Sequence, residues 1–367
     1  MSKNKAVAEI TMTYQEQALV LSNQYGLGQT DISIKPIGSG HINTTLLLSS
    51  PNKHLVVQKL NTQVFPDSDA LVSNARKIEK HLTKKAAKNA YDLDVIKHVA
   101  TQDDSHLIRL NGETWRALEF IGGSYSEDVV KSTEKAKIAA GAFGQFAKAL
   151  NDFEADSLKT VIPDFHNLSM RINALDKAVA ADKVARVALC EDDIAFCQQQ
   201  RHLLDEIDAI VPDLPIRACH NDTKINNMLF CKKSDQAKAV IDLDTCMPGY
   251  WMFDFGDMVR TFCSPEAEDS TDLDKVKVRE NIFASIVEGY VEPLKKVLSD
   301  KEKQSFWLGA KVMTFMIGVR FLTDYLDGDN YFTIHREHHN LDRARNQFAL
   351  YQDLLKKEQT LKAILFK

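Results

Sequence analysis

The segment His220-Asn221-Asp222-Thr223-Lys224-Ile225-Asn226-Asn227, followed after an apolar run by Ile241-Asp242-Leu243-Asp244, constrains this chain more than any other. Its pattern is H-x-D-x-x-x-x-N and then a second Asp. Short apolar runs flank each part: 216–219 before it, Met228-Leu229-Phe230 after the Asn, and Ala239-Val240-Ile241 before Asp242. These runs predict strand, loop, strand, turn, strand and loop, with Asp222 and Asn227 on one loop and Asp242 at a neighbouring strand end. A plain β-hairpin with solvated turns has a similar composition. It does not demand an acid, an amide and an acid in this order, each beside a strand. That ordered set suits magnesium-dependent phosphoryl transfer. One carboxylate takes the proton of an attacking hydroxyl, while an amide and a second carboxylate hold metal on the nucleotide phosphates. Asp222 is the candidate base, and Asn227 and Asp242 are candidate Mg2+ ligands. Asp244 shares the strand face with Asp242 if the chain stays extended, and joins them as a metal candidate.

Asp254-Phe255-Gly256 spells the metal-binding D-F-G of protein kinases. It lacks a preceding strand and opens a helical pattern, so the metal role goes to Asp242. Asp254 is expected to cap the helix running toward Arg260, with Asp257 in its first turn, where a carboxylate suits the helix dipole.

The 367 residues allow two or three domains, and 44% hydrophobic with 26% charged residues is ordinary for a globular chain. A net charge of −5 gives no electrostatic footprint for nucleic acid or an anionic membrane. The six cysteines form no C-x-x-C and sit in apolar runs, which reads as thiols in a reducing cytoplasm. No apolar stretch follows the N-terminal Met1-Ser2-Lys3-Asn4-Lys5, so no signal peptide is expected. The most apolar stretch, Phe306 to Leu322, carries Lys311 and Arg320 and reads as a buried helix rather than a membrane span.

Periodicity predicts a helix over 6–25, strands over 32–37, 44–48 and 54–60, a helix over 69–82, and short strands near 93–98, 106–110 and 114–121. The reading is α+β: a bilobal chain with an antiparallel-sheet N-lobe over 1–121, a hinge over 122–125 at Gly122-Gly123-Ser124, and a mostly helical C-lobe over 126–367. A ligand site is expected in the crevice between lobes. Gly38-Ser39-Gly40, at the first strand turn, suits a phosphate cover, because glycine lets backbone N–H groups approach an anion. In the strand Leu55 to Leu60, alternation puts either Gln58 or Lys59 on the crevice face, not both. Glu119-Phe120-Ile121 precedes the hinge and is the candidate adenine edge. Glu266 to Asp274 reads as a solvated acidic loop, or as carboxylates for a polycationic substrate.

The chain resembles the aminoglycoside-phosphotransferase and choline-kinase superfamily, with its protein-kinase-like fold, and within it the N-acetylhexosamine 1-kinase branch. The resemblance runs over nearly the whole chain. It rests on Gly38 through Thr45, Trp115-Arg116, Phe165-His166, His220 through Asn227, Ile241 through Thr245, Met247-Pro248-Gly249 and Phe253 through Asp257. It continues through Arg320-Phe321-Leu322, Asp324-Tyr325-Leu326, Gly328-Asp329 and Tyr331-Phe332. It implies phosphorylation of O1 of N-acetylglucosamine or N-acetylgalactosamine with ATP as co-substrate and Mg2+ as cofactor. Asp222 would be the base, and Asn227 and Asp242 the metal ligands. His41, Arg320 and Tyr331 would line the sugar pocket, and Asn221, next to the base, joins them as a substrate-binding candidate. Gln58 matches the branch where other kinases carry the phosphate-holding lysine. Arg320 within an apolar helix needs a partner, which an ion pair with a helix carboxylate would equally supply. Kinases of the same superfamily acting on choline, homoserine, amino sugars or aminoglycosides, and a non-catalytic ligand-binding relative, are the alternatives.

Overall fold

A computed structural model describes residues 13–38 and 42–367. Ser39, Gly40 and His41 of the glycine turn lie outside the described residues, as does most of the 6–25 helix's first half. The chain forms two compact units. The first runs up to Val72 and includes Ile96–Gly122; the second comprises Ser73–Val95 and Gly123–Lys367.

The first unit is the antiparallel-sheet part. Helix α1 (Tyr14–Gln24) opens on a capping box in which Thr13 and Glu16 bond each other's backbone N–H. The sheet contains β1 (Ser33–Pro36), β2 (Thr44–Ser49) and β3 (His54–Leu60), after which helix α2 (Ser68–Ala86) intervenes before β4 (His98–Val99), β5 (Ile108–Leu110) and β6 (Glu113–Glu119). Strand order is β1-β2-β3-β6-β4, with β5 also pairing β6, and every pairing is antiparallel. The two-residue alternation sends Leu46, Leu48, Leu55, Val57, Trp115 and Ala117 to one face, where they pack with Ala18 and Leu21 of α1. Lys59 follows the same parity, and its Nζ lies 2.9 Å from Glu113. Gln58 therefore sits on the opposite face. There Arg116, its register partner on β6, donates to Gln58 Oε1 from Nε at 2.9 Å and Nη2 at 2.7 Å. The sheet thus turns Lys59 toward the α1 core and presents Gln58 with a guanidinium beside it.

Helix α2 passes from the first unit into the second, which moves the boundary drawn from sequence. Ala75, Ile78 and Leu82 join the larger core, and the Asn74 amide is exchanged in both directions with the backbone of Lys159, at 2.7 and 2.9 Å. Residues 93–95 also leave the expected strand: Leu93 is buried in the second unit's core and Asp94 N–H donates to Lys238 O at 2.7 Å.

The second unit is mostly helical. In order it contains β7 (Ser124–Tyr125), α3 (Thr133–Ala149), α4 (Leu168–Ala181), α5 (Glu191–Gln199), α6 (His202–Ile210), β8 (Arg217–Cys219), β9 (Met228–Cys231) and β10 (Ala237–Val240). It then continues with β11 (Met247–Gly249), α7 (Trp251–Cys263), α8 (Glu280–Leu294), α9 (Asp300–Asp327), α10 (His339–Lys356) and α11 (Glu358–Leu365). Strands β10, β9 and β7 form one small sheet, and β11 pairs β8 in another. Helix α9 organises this unit. It starts at a Ser299/Glu302 capping box and stops at Gly328, whose φ of 100° is open to glycine without strain. It is long and apolar enough to cross a membrane, yet 89% of its most apolar window is buried inside the protein. Helix α7 crosses it at glycines. A Cβ on Gly256 would lie 2.5 Å from the Gly309 carbonyl carbon and nearer still to its oxygen. The glycine of the D-F-G triplet is therefore a helix-crossing residue.

Candidate active site

Two short sheets and α7 hold the loop 220–227. Strand β8 delivers the chain to it, fixed at Arg217 by Glu302 at 2.9 Å and by the Trp251 ring at 4.3 Å. Strand β9 carries the chain away, and β10 pairs back so that Ile241 N–H donates to Asn227 O at 2.9 Å. His220, fully buried, contacts Ile241 O through Nε2 at 3.0 Å and lies edge-on to Phe143 and Phe146. Burial pushes its imidazole pKa down, so it serves as a neutral brace between the loop and the approach to Asp242.

Asp254 is the loop's second brace, and here the sequence reading needs correction. Helix α7 begins at Trp251, four residues earlier than a cap at Asp254 would require, because Trp251 and Met252 are already buried. Asp254 lies within the first turn. Its carboxylate accepts the backbone N–H groups of His220 at 3.0 Å and Asn221 at 2.7 Å, and its carbonyl accepts the Thr223 hydroxyl at 2.6 Å. Burial raises its carboxyl to about 7 against the pull of those two N–H groups. Asn221 is left-handed, with φ 65°. Its amide nitrogen bonds Thr245 O at 2.9 Å, while the residue edges a neighbouring cavity. This substrate-binding candidate is thus first a tie between the loop and the segment after Asp242.

The chemistry-bearing groups converge on Asp222. Asn227 Nδ2 donates to the Asp222 carboxylate at 2.9 Å and to its carbonyl at 2.8 Å, and Lys224 Nζ lies 3.2 Å from Oδ1. Burial works to raise the Asp222 carboxyl, but the Lys224 charge and these hydrogen bonds outweigh it and hold the carboxyl below the ordinary aspartate range. It is therefore an anion at neutral pH. Asn227 uses its nitrogen on Asp222, so only Oδ1 could face a metal. Asp242, exposed and left-handed at φ 60°, ends the run that hydrogen-bonds Asn227. An amide oxygen and a carboxylate suit a hard divalent cation, which Asn227 and Asp242 would hold. Asp244 does not share that face. The chain leaves the extended conformation at Asp242 and enters a 3-10 turn over Leu243–Thr245, which buries Asp244.

Several residues given no role by sequence complete the site. Lys224 is one. Buried Arg260 is another, held by Asp257 at 2.9 Å and by Glu268 at 2.5 Å. That bond engages the acidic loop: Asp269 pairs His339 and Arg336, and Asp272 pairs Lys275, so these carboxylates are matched within the protein. His166 stacks on Phe165 at 4.5 Å and packs against Phe253. Burial and the nearby Arg320 guanidinium push it down to about 3, so it remains neutral.

Arg320 has no carboxylate within salt-bridge distance among the described residues. Instead the rings of Phe165, Tyr331 and Phe332 surround its guanidinium at 5.4, 5.6 and 5.5 Å, and Nη2 reaches Tyr331 Oη at 3.5 Å. Tyr331 is half exposed, and Asp324 places it by accepting the N–H groups of Asn330, Tyr331 and Phe332. In the first unit, Gly38 is a bend at φ 74° and Gln58 faces away from the α1 core. The Glu119 N–H is already committed to Lys97 O at 2.9 Å, which removes one backbone donor from the expected adenine edge, and Ile121, next in that edge, is half-buried.

An antiparallel-sheet unit, a helical unit, and an Asp–Lys–Asn loop beside a second Asp define a kinase-type phosphotransferase. A profile of the phosphotransferase enzyme family that includes the aminoglycoside phosphotransferases matches residues 33–275, and the chain belongs to that family. Solved structures share the fold at low identity. A microcompartment-associated aminopropanol kinase superposes with a TM-score of 0.59 at 13% identity, covering 94% of this chain and 98% of that one. Plasmodium vivax ethanolamine kinase gives 0.55 at 13%, covering 93% and 92%. A spectinomycin phosphotransferase in complex with ADP and spectinomycin gives 0.52 at 16%, covering 97% and 98%.

Proposed function

We propose that this protein is an ATP- and magnesium-dependent small-molecule kinase of the cytoplasm that phosphorylates O1 of N-acetylhexosamines. The observation that carries phosphoryl transfer is the Asp222 carboxylate, kept ionised by Lys224 and oriented by Asn227 on a loop clamped by Asp254. In this reading Asp222 accepts a hydrogen bond from the sugar O1 hydroxyl and takes its proton as the phosphoryl group moves. Asn227 and Asp242 would hold Mg2+, which supplies charge neutralisation at the phosphates when bound. Lys224, beside the base, offers a cation where charge develops on the transferring group. Gln58 and the glycine turn are assigned to the nucleotide, in keeping with the nucleotide-bound spectinomycin phosphotransferase of the same fold.

The sugar assignment rests on the acceptor side of the second unit. Arg320, Tyr331 and Phe332 border a cavity of about 180 Å³. Aromatic rings beside planar polar groups suit a sugar, with its apolar faces and hydroxyl edges. An amine acceptor calls for unmatched carboxylates, and Glu268, Asp269 and Asp272 of the acidic loop are each paired within the protein. The experiment is ADP release with Mg-ATP and a panel of N-acetylglucosamine, N-acetylgalactosamine, glucose, choline and kanamycin. Acid-labile phosphate formed from the N-acetyl sugars supports the proposal. Turnover confined to choline or kanamycin refutes the sugar assignment and keeps the kinase.

A further inference from the structure

One feature of the acceptor side exceeds what a neutral sugar needs. Arg171, in the first turn of α4, and Arg320, on α9, line the same cavity of about 180 Å³. No carboxylate lies within 4.0 Å of either guanidinium among the described residues. Arg171 Nε is buried with no hydrogen-bond partner, and its one bond runs from Nη2 to Phe165 O at 3.1 Å. Among the described residues Arg320 makes only the 3.5 Å bond to Tyr331. Two arginines carry ten N–H donors between them, and few of these are used.

The cavity's own acids do not neutralise the pair. Asp324 accepts four N–H groups, from Asn330, Tyr331, Phe332 and the Asn340 side chain. Asp327 pairs Lys183 at 2.9 Å. Burial and then the Arg320 charge bring Arg171 down to about 10, while burial and the Arg260 charge lower Arg320. Two like charges lining one cavity, each partly withdrawn from water, are stabilised when an anion joins them. Their planar forks match the oxygens of a carboxylate or a phosphate.

We propose that the Arg171–Arg320 cavity is a binding subsite for one oxyanion, a carboxylate or phosphate group. This rests on reading the face beside Asp222 as the acceptor side. The oxyanion has two possible sources: a substituent of the acceptor, which makes an acidic hexosamine a substrate, or a free inorganic anion.

The whole protein is titrated with inorganic phosphate by calorimetry. Wild type is expected to bind one phosphate, and Arg171→Met to lose about tenfold or more in affinity, the scale of one charge-assisted hydrogen-bond pair. Arg171→Lys, which keeps the charge and removes the fork, is expected to fall between, and circular dichroism of both variants separates lost binding from lost folding. Steady-state kinetics then compare N-acetylglucosamine with its 6-carboxylate. A KM for the carboxylate that rises about tenfold more than the neutral sugar's in Arg171→Met assigns the oxyanion to the acceptor. Arg171-dependent phosphate binding with the two KM values changing by the same factor assigns it to a free anion. Absence of phosphate binding together with a carboxylate KM indifferent to Arg171 overturns the subsite. Asp222-dependent turnover of the neutral sugar in that case leaves the kinase reading standing, whereas Arg171-dependent phosphate binding without turnover of any acceptor keeps the subsite and removes the kinase reading.

Discussion

Gly256→Ala is expected to destabilise the helical unit and to disturb catalysis with it. The added Cβ would meet the Gly309 carbonyl carbon at 2.5 Å and Met313 Cγ at 2.9 Å. Ordinary carbon–carbon contact begins near 3.5 Å, so α7 and α9 must part by roughly 1 Å. Backbone on both sides of the contact leaves no flexible side-chain end to yield. Overpacking of this kind costs about 1–3 kcal/mol or more, and better helix propensity returns at most about 1 kcal/mol. A net loss of about 2 kcal/mol lowers Tm by roughly 4 °C or more in a unit of this size. Asp254 lies two residues away on the same helix and holds the loop's N–H groups, so kcat should fall as well. Gly141→Ala is the control. It too is helical, but its Cβ would find only Gly289 O at 3.7 Å, and its Tm should hold or rise. Differential scanning calorimetry and steady-state kinetics on the two variants decide the matter. A Gly256→Ala protein with wild-type Tm would refute the close-crossing argument, and wild-type kcat in a destabilised variant would refute the link through Asp254.

Other outcomes follow from the same geometry. Asp222→Asn should lower kcat about 10²-fold or more with acceptor KM largely kept, read by initial rates of ADP formation. Lys224→Met removes the chief charge holding the Asp222 carboxyl down. The base then protonates at higher pH, and the acidic limb of the kcat–pH profile should move upward, with Lys224→Arg restoring much of it. Asp254→Asn replaces one accepting oxygen with a donor that faces a backbone N–H. The unsatisfied buried donor should cost about 1–3 kcal/mol, seen as a lower urea midpoint together with a lower kcat.

The geometry of the candidate loop was legible in sequence because it is local: Asp222 and Asn227 share one loop, and the strands around it announce themselves as short apolar runs. Fold class was legible for the same reason, since two-residue alternation in β2, β3 and β6 and long helical runs after Tyr125 are local patterns. What escaped depends on tertiary contact. Arg171 lies in a mixed helix turn with nothing in its neighbours to mark it, and becomes notable only when α4 packs beside Arg320. Asp254 looked like a cap because a carboxylate before an apolar run usually is one. The buried Trp251 starts the helix earlier and turns that carboxylate back to the loop. Asp244 seemed to share a face with Asp242 only while the chain stayed extended, and a left-handed residue is not visible in an Asp. Lys224 carried a usable signal, being two residues from the base on the same loop. The choice between Gln58 and Lys59 needed the register with β6, which sets Lys59 opposite Trp115, within reach of Glu113, and Gln58 opposite Arg116.

The most direct test is phosphoryl transfer itself, measured as ADP release from Mg-ATP with N-acetylglucosamine and N-acetylgalactosamine, in wild type and Asp222→Asn side by side. The account predicts acceptor-dependent ADP release, an acid-labile sugar phosphate, and a loss of about 10²-fold or more in the variant. Equal turnover in the two proteins would contradict the assignment of Asp222 as the base on which the site is built.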